Sequence, residues 1–302
     1  MKKTSKPVVF FGSGPVAAES LRLLAQDFTI EAVVTKPRPQ HHKGDVPVIR
    51  VAEDLDLPIH TVTNKRTLDE LIATDPFKSD VAILVDFGII VSQKAIDYFS
   101  YGIVNSHFSL LPEWRGADPI TFAILSGQKT TGVSLMMLVE AMDEGPILGY
   151  GVYELQPGMT TPILTAELIT LSHALLTAII PEYLDGSIAP QPQTTKIEPT
   201  YSRKITKDDG VINWQKTAEQ IEREIRGFIE WPKSHAVIAA REVVITKAHV
   251  TDFPGPPGTF DIINKQLVAY CGERSLVIDA LKPAGKQEMT GQAFLAGYKQ
   301  FL

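Results

Sequence analysis

The stretch Pro7-Val8-Val9-Phe10-Phe11-Gly12-Ser13-Gly14-Pro15-Val16-Ala17 constrains the fold more than any other. Pro7 to Phe11 is apolar and rich in β-formers, the signal of a buried strand. Two glycines then turn the chain, and Ala18 to Leu24 reads as a helix. Strand, tight turn and helix together open a doubly wound α/β unit. The alternation continues. Glu31–Thr35, Pro58–His60 and Val81–Val85 read as strands. Val46–Leu55, Arg66–Thr74 and Ser92–Tyr98 read as the helices between and after them. Strands spaced by helices imply a mostly parallel sheet.

Gly12-Ser13-Gly14-Pro15-Val16-Ala17 matches G-x-G-x-x-A, a dinucleotide fingerprint. That motif needs an acid at the end of the next strand to hold a ribose. Here the strand ends in Lys36-Pro37-Arg38, which has no acid but would suit a 2′-phosphate. An NADP-binding reductase therefore stands beside the plainer reading of a glycine turn that starts a helix. Arg38 to Asp45 is a polar, basic loop; its His41-His42 pair completes no zinc-site spacing, so no metal is expected.

The second half changes character. Thr131–Val139 and Ile147–Leu155 read as a hairpin with Asp143-Glu144-Gly145-Pro146 at its mouth, and Thr161 to Leu184 as a long helix. Ile188 to Thr200 is rich in Pro, Gln and Thr and reads as a linker. Beyond it come a short strand (Gly210–Trp214) and an amphipathic helix (Thr217–Glu230) with Ile221, Ile225 and Phe228 on one face. Several short strands and a closing helix follow, the pattern of a small OB-like β-barrel. The expected domains are residues 1–187, a linker 188–205, and 206–302. Residues 206–302 are charge-balanced, so the net charge of −6 sits in residues 1–205 and a polyanion would have to meet local patches. The single cysteine, Cys271, fits a reducing cytosol. The N-terminal stretch lacks the pattern of a signal peptide, and no apolar run is expected to reach the length needed to cross a bilayer. A cytoplasmic monomer is the expectation.

One stretch carries candidate chemistry: Asn105-Ser106-His107-Phe108-Ser109-Leu110-Leu111-Pro112-Glu113-Trp114-Arg115-Gly116-Ala117-Asp118-Pro119. Asn105 and His107 lie two apart at the end of an apolar run, so on a strand they share a face, and Ser106 points away. Asp118-Pro119 reads as a helix start, with Asp as N-cap. Strand ends of this kind are where open α/β sheets bind ligands. With Asp143 at the hairpin mouth, the face gathers an amide, an imidazole and a carboxylate but no nucleophile. No G-x-S-x-G elbow is present. Such a trio suits direct acyl transfer to an amine: the amide donates to an oxyanion, the imidazole takes or relays a proton, and the carboxylate holds the imidazole in place and stabilises its charged form.

Asn-x-His-x-Ser-Leu-Leu-Pro-x-Trp-Arg-Gly-Ala-x-Pro-Ile, with Asp143-Glu144-Gly145 after it, resembles the 10-formyltetrahydrofolate-dependent formyltransferases. The resemblance extends to Val9-Phe10-Phe11-Gly12, Phe87-Gly88-Ile89-Ile90, Thr200 to Ile205, Pro257-Gly258-Thr259 and Leu281 to Lys286. It implies a Rossmann-like formyltransferase domain without a nucleotide at Gly12. It implies catalytic roles for Asn105, His107 and Asp143. It further implies a folate site lined by Ser109, Leu110, Leu111 and Pro112, with backbone of Phe87, Gly88, Ile89 and Ile90 holding the pterin. Trp114-Arg115-Gly116 with a C-terminal barrel narrows the acceptor to methionyl-tRNA or a nucleotide-linked amino sugar; a non-catalytic tRNA-binding module is a further alternative. Lys36, Arg38, Lys43, Arg203 and Lys204 are the candidate tRNA contacts. The loop Lys36 to Lys43 is shorter and less basic than in relatives that act on tRNA, and Asp86 stands where the family often has a small residue.

Overall fold

The computed structural model describes residues 6–38 and 46–301. Lys43, His41 and His42 lie outside the described residues. The chain forms two compact units. One comprises residues up to Gly116, Thr130–Glu154 and Thr165–Tyr201; the other comprises Ala117–Lys129, Leu155–Leu164 and the chain from Ser202 onward.

The first unit holds strands Val8–Gly12 (β1), Ile30–Thr35 (β2), Ile59–Thr61 (β3), Ala82–Val85 (β4), Ile103–His107 (β5), Arg115–Gly116 (β6), Thr130–Met137 (β7) and Ile147–Glu154 (β8). Seven of them form one sheet in the order β3-β2-β1-β4-β5-β7-β8. The first five of that order run parallel; β7 pairs antiparallel with β5, and β8 with β7. Strands β1 and β4 are buried along their whole length, as an apolar run without alternation requires in a sheet covered on both faces. Helices Pro15–Asp27 (α1), Pro47–Asp54 (α2), Lys65–Ile72 (α3) and Gln93–Asp97 (α4) make the crossovers. Phe11, Phe87, Phe99, Leu68 and Ile103 share one core cluster.

The long helix Thr161–Leu184 (α6) is apolar enough to span a bilayer by length and composition, with a mean hydropathy of 1.8. This corrects the expectation that no segment reaches that length. Part of its apolar surface packs inside the protein: Leu164, Leu168, Ile169, Leu176 and Ile180 are buried, and the Ser172 hydroxyl meets that of Ser106 on β5.

In the second unit, Pro119–Ser126 (α5) starts after Asp118, but the Asp118 side chain does not cap it. Its backbone is left-handed (φ 56°), and its carboxylate instead accepts the Ile205 N–H at 2.9 Å. Tyr201–Ser202 (β9) lies at the boundary of the units. The expected strand at Gly210–Trp214 is a 3₁₀ turn, Lys207–Gly210, followed by one isolated bridge from Val211 to His235. Ala218–Gly227 (α7) opens with a capping box between Thr217 and Gln220. Strands Ser234–Ile238 (β10), Arg241–Thr251 (β11), Phe260–Ile263 (β12), Gln266–Tyr270 (β13), Ser275–Pro283 (β14) and Met289–Thr290 (β15) pair antiparallel, and Gly291–Tyr298 (α8) closes the chain. Register shifts between Ile245 and Ala248 bend the long β11. Ile221 and Ile225 of α7, Phe294 of α8 and the strand residues Val243, Ile245, Leu276 and Ile278 bury one shared core.

Candidate active site

Strand β5 lies between a parallel neighbour, β4, and an antiparallel one, β7. Asn105 sits opposite Leu84 and Met136, and His107 opposite Ser134. The two-residue period puts Asn105 and His107 on one face, each 7% exposed. Ser106 faces the other way, its hydroxyl 2.7 Å from that of Ser172 on α6.

The imidazole of His107 is held by main chain. Its Nε2 lies 2.9 Å from the Trp114 carbonyl oxygen. A carbonyl only accepts, so Nε2 carries the proton and the neutral ring keeps its lone pair on Nδ1. Nδ1 faces Asp143, with Oδ1 at 3.8 Å. The other carboxylate oxygen, Oδ2, accepts the Gly116 N–H at 2.7 Å. Trp114 and Asp143 both take left-handed backbone, with φ of 56° and 53°. The ring is thus oriented by a backbone carbonyl seven residues on, and Asp143 is free to act on the charged form. Sequence reasoning had the carboxylate as the orienting group; a main-chain partner leaves no side-chain signal to find.

The Asp143-Glu144-Gly145 turn has a packing reason for each residue. Glu144 pairs with Arg115 at 3.1 Å. A Cβ on Gly145 would lie 1.7 Å from the Met137 carbonyl oxygen, so only glycine allows the turn to close on β7. Across the site, Ser134 straps the loop after β5: its hydroxyl donates to Ser109 O at 2.6 Å and accepts the Leu111 N–H at 2.9 Å. Ser134 had not been singled out by sequence.

The residues expected to line a folate site fall into two groups. Ser109 is fully buried and its hydroxyl donates to Glu113 O; Leu111 is 3% exposed and Pro112 is buried, so these three shape the loop from beneath. Leu110 is half-buried. The Phe87 ring is buried edge-on against Phe11, and its carbonyl accepts the Ser13 hydroxyl at 2.8 Å. Gly88 is exposed at φ 63°, Ile89 is half-buried and Ile90 is 72% exposed. These last residues form an accessible rim at the carboxyl edge of the sheet.

The glycine turn at Gly12 is closed to a dinucleotide. The Asp86 carboxylate lies over Gly14, its Oδ2 only 2.1 Å from where a Cβ would be. A pyrophosphate would need that helix N-terminus, and Asp86 puts a negative charge there. The reductase reading is set aside on this ground.

The candidate nucleic-acid contacts fall in both units. The Lys36 ammonium rests on Gly88, 2.7 Å from its virtual Cβ. Arg38 pairs with Glu53 at 2.8 and 2.9 Å. Arg203 pairs with Asp209, whose carboxyl it holds well below the usual carboxylate range, and Lys204 is exposed.

Strand β5 and the Asp143 turn bring an amide, an imidazole and a carboxylate to one edge of the α/β sheet, in a chain whose second part is an antiparallel β unit. The formyl transferase family matches residues 8–180, and the formyl transferase C-terminal domain matches residues 204–299. The chain belongs to the formyl transferase family. Relatives that match over nearly the whole chain include methionyl-tRNA formyltransferases. That of Myxococcus xanthus is 32% identical over 301 residues, spanning 98% of this chain and 96% of that protein. That of Bacillus subtilis is 30% identical over 299 residues, spanning 96% and 94%. Among solved structures, the N-formyltransferase of Helicobacter canadensis, in complex with folinic acid and dTDP-3-aminofucose, shares the fold. It has a TM-score of 0.69 at 18% identity, covering 96% of this chain and all of that one. HypX of Aquifex aeolicus in complex with tetrahydrofolic acid has a TM-score of 0.64 at 13% identity, covering 96% of this chain and 47% of that one.

Proposed function

We propose that the protein transfers the formyl group of 10-formyltetrahydrofolate to the amino group of initiator methionyl-tRNA, by direct attack of the amine. Full-length identity to methionyl-tRNA formyltransferases supports this acceptor over a nucleotide-linked amino sugar, since the sugar enzyme shares the fold at only 18% identity. The observation that carries the chemistry is the 2.9 Å contact of His107 Nε2 with the Trp114 carbonyl, which assigns the proton to Nε2 and leaves the Nδ1 lone pair beside Asp143.

The neutral amine attacks the formyl carbon. A C–N bond forms and the carbonyl oxygen becomes an oxyanion, to which the Asn105 amide donates. The ammonium proton passes to His107 Nδ1, and the Asp143 carboxylate stabilises the imidazolium. Collapse breaks the bond from carbon to N10 of the folate, and the proton on Nδ1 goes to N10. Tetrahydrofolate leaves and no covalent enzyme intermediate forms. The pterin binds along backbone of Phe87 to Ile90 and the loop Ser109 to Pro112. Lys36, Arg38, Lys43, Arg203 and Lys204 meet the tRNA phosphates. In this reading residues 1–187 are the catalytic domain, 188–205 the connection and 206–302 the tRNA-holding domain. The enzyme works as a cytoplasmic monomer.

The test is formation of formyl-methionyl-tRNA from purified protein, 10-formyltetrahydrofolate and methionyl-tRNA. Formylation of a dTDP-linked amino sugar with no tRNA product would overturn the acceptor.

A further inference from the structure

We infer that Gln193 is a positioning residue for Asp143, and that the segment read as a linker is the outer wall of the active site. The inference rests on the role given to Asp143 above. Asp143 stands in the turn between β7 and β8, where Glu140, Ala141, Met142 and Glu144 are exposed. The Asp143 side chain itself is mostly covered, so its position depends on how the main chain of this turn is held. The Gly116 N–H binds its carboxylate, and the side chain of Gln193 binds its main chain. The Gln193 amide donates both its hydrogens to this turn, to Asp143 O at 2.7 Å and to Gly145 O at 3.0 Å. Its oxygen accepts from Arg115 at 2.8 Å, so the orientation of the amide is fixed. Arg115 in turn pairs with Glu144 at 3.1 Å and precedes Gly116, whose N–H binds the Asp143 carboxylate. The carbonyls of Asp143 and Gly145 therefore converge on one NH2 group, which fixes the main chain where Asp143 takes its left-handed conformation at φ 53°.

The rest of the segment is pinned to the same two loops. Gln191 exchanges two backbone hydrogen bonds with Ile147, at 2.6 and 2.8 Å, at the foot of the Asp143 turn. Thr200 accepts the Arg115 N–H at 2.9 Å, and its hydroxyl accepts the Trp114 N–H at 2.9 Å. Trp114 is the residue whose carbonyl fixes the His107 ring. Residues 191–200 thus tie down the base from one end and its carboxylate from the other. The Gln193 side-chain hydrogen bonds go to Arg115, Asp143 and Gly145, so it acts through Asp143.

The variants Gln193→Glu and Gln193→Leu test this. Glu keeps the length and the acceptor for Arg115 and removes both donors; Leu removes everything. Each is expected to lower kcat about ten- to a hundredfold, with KM for 10-formyltetrahydrofolate and for methionyl-tRNA changed less than about threefold. In an Asp143→Ala background the same changes are expected to cost less than about threefold. Amide hydrogen exchange in residues 139–146 is expected to speed up in both variants while the rest of the sheet stays protected. A Gln193→Glu enzyme within twofold of the parent kcat, or a loss that persists in full without Asp143, would overturn the inference. A parent protein that makes no formyl-methionyl-tRNA would count against the proposed function instead, and the exchange experiment would still decide whether Gln193 holds the turn.

Discussion

Replacing Asp143 by Asn probes the mechanism most directly. The variant keeps an oxygen for the Gly116 N–H, now 2.7 Å from Oδ2, so the turn is expected to keep its shape. It removes the charge that faces His107 Nδ1 at 3.8 Å. At an effective dielectric of about 20, unit charges at that range attract by about 4 kcal/mol. Asp143 is 13% exposed, and residual solvation brings the useful part to about 2–4 kcal/mol. The attraction exists only once the imidazole has taken the amine proton, so it lowers the barrier and not the ground state. The expected result is a fall in kcat of roughly thirty- to a thousandfold, with KM nearly unchanged. The assay is initial-rate formylation of methionyl-tRNA at saturating donor, with circular dichroism to confirm folding. In a His107→Ala background the same substitution is expected to cost far less, because no imidazolium forms. A kcat within about threefold of the parent, or full additivity with His107→Ala, would refute the charge-stabilisation argument.

Ser106→Ala strands the buried Ser172 hydroxyl and is expected to cost about 1–3 kcal/mol in urea unfolding, while the double change to alanine recovers part of the loss. The Asp209 carboxyl is held below its usual range by Arg203, so its stabilisation is present at neutral pH and is lost as pH falls below the ordinary carboxylate pKa. Asp209→Asn is accordingly expected to destabilise by about 1 kcal/mol near pH 7 and by clearly less near pH 3, read from urea midpoints; an equal loss at both would contradict this. Burial pushes the Cys271 thiol up to about 12, with Glu219 adding to it. The native protein is therefore expected to resist a thiol reagent at pH 8 and to react fully in denaturant; rapid native labelling would show that the buried core around Cys271 opens readily.

Much of this was written in local sequence. The apolar runs at Val8–Phe11 and Val81–Val85 and the helices between them required a parallel sheet, because an unbroken apolar strand needs cover on both faces. The shared face of Asn105 and His107, with Ser106 turned away, follows from the two-residue period of a strand, and no distant contact can change it. The hairpin that presents Asp143 was equally local. Tertiary structure decided what those groups touch. The His107 ring is oriented by a Trp114 carbonyl, and every residue has a carbonyl, so composition cannot mark the one that matters. Asp118 looked like a helix cap, yet its carboxylate serves the Ile205 N–H, 87 residues away, because that donor arrives within reach only on folding. Gln193 sits among prolines and threonines and reads as linker. Its hydrogen bonds to Asp143 and Gly145 bridge 50 and 48 residues, and only the folded sheet brings those carbonyls together. Spacing along the chain determined which side chains face the site; the long-range closure of the sheet determined which of them are held there.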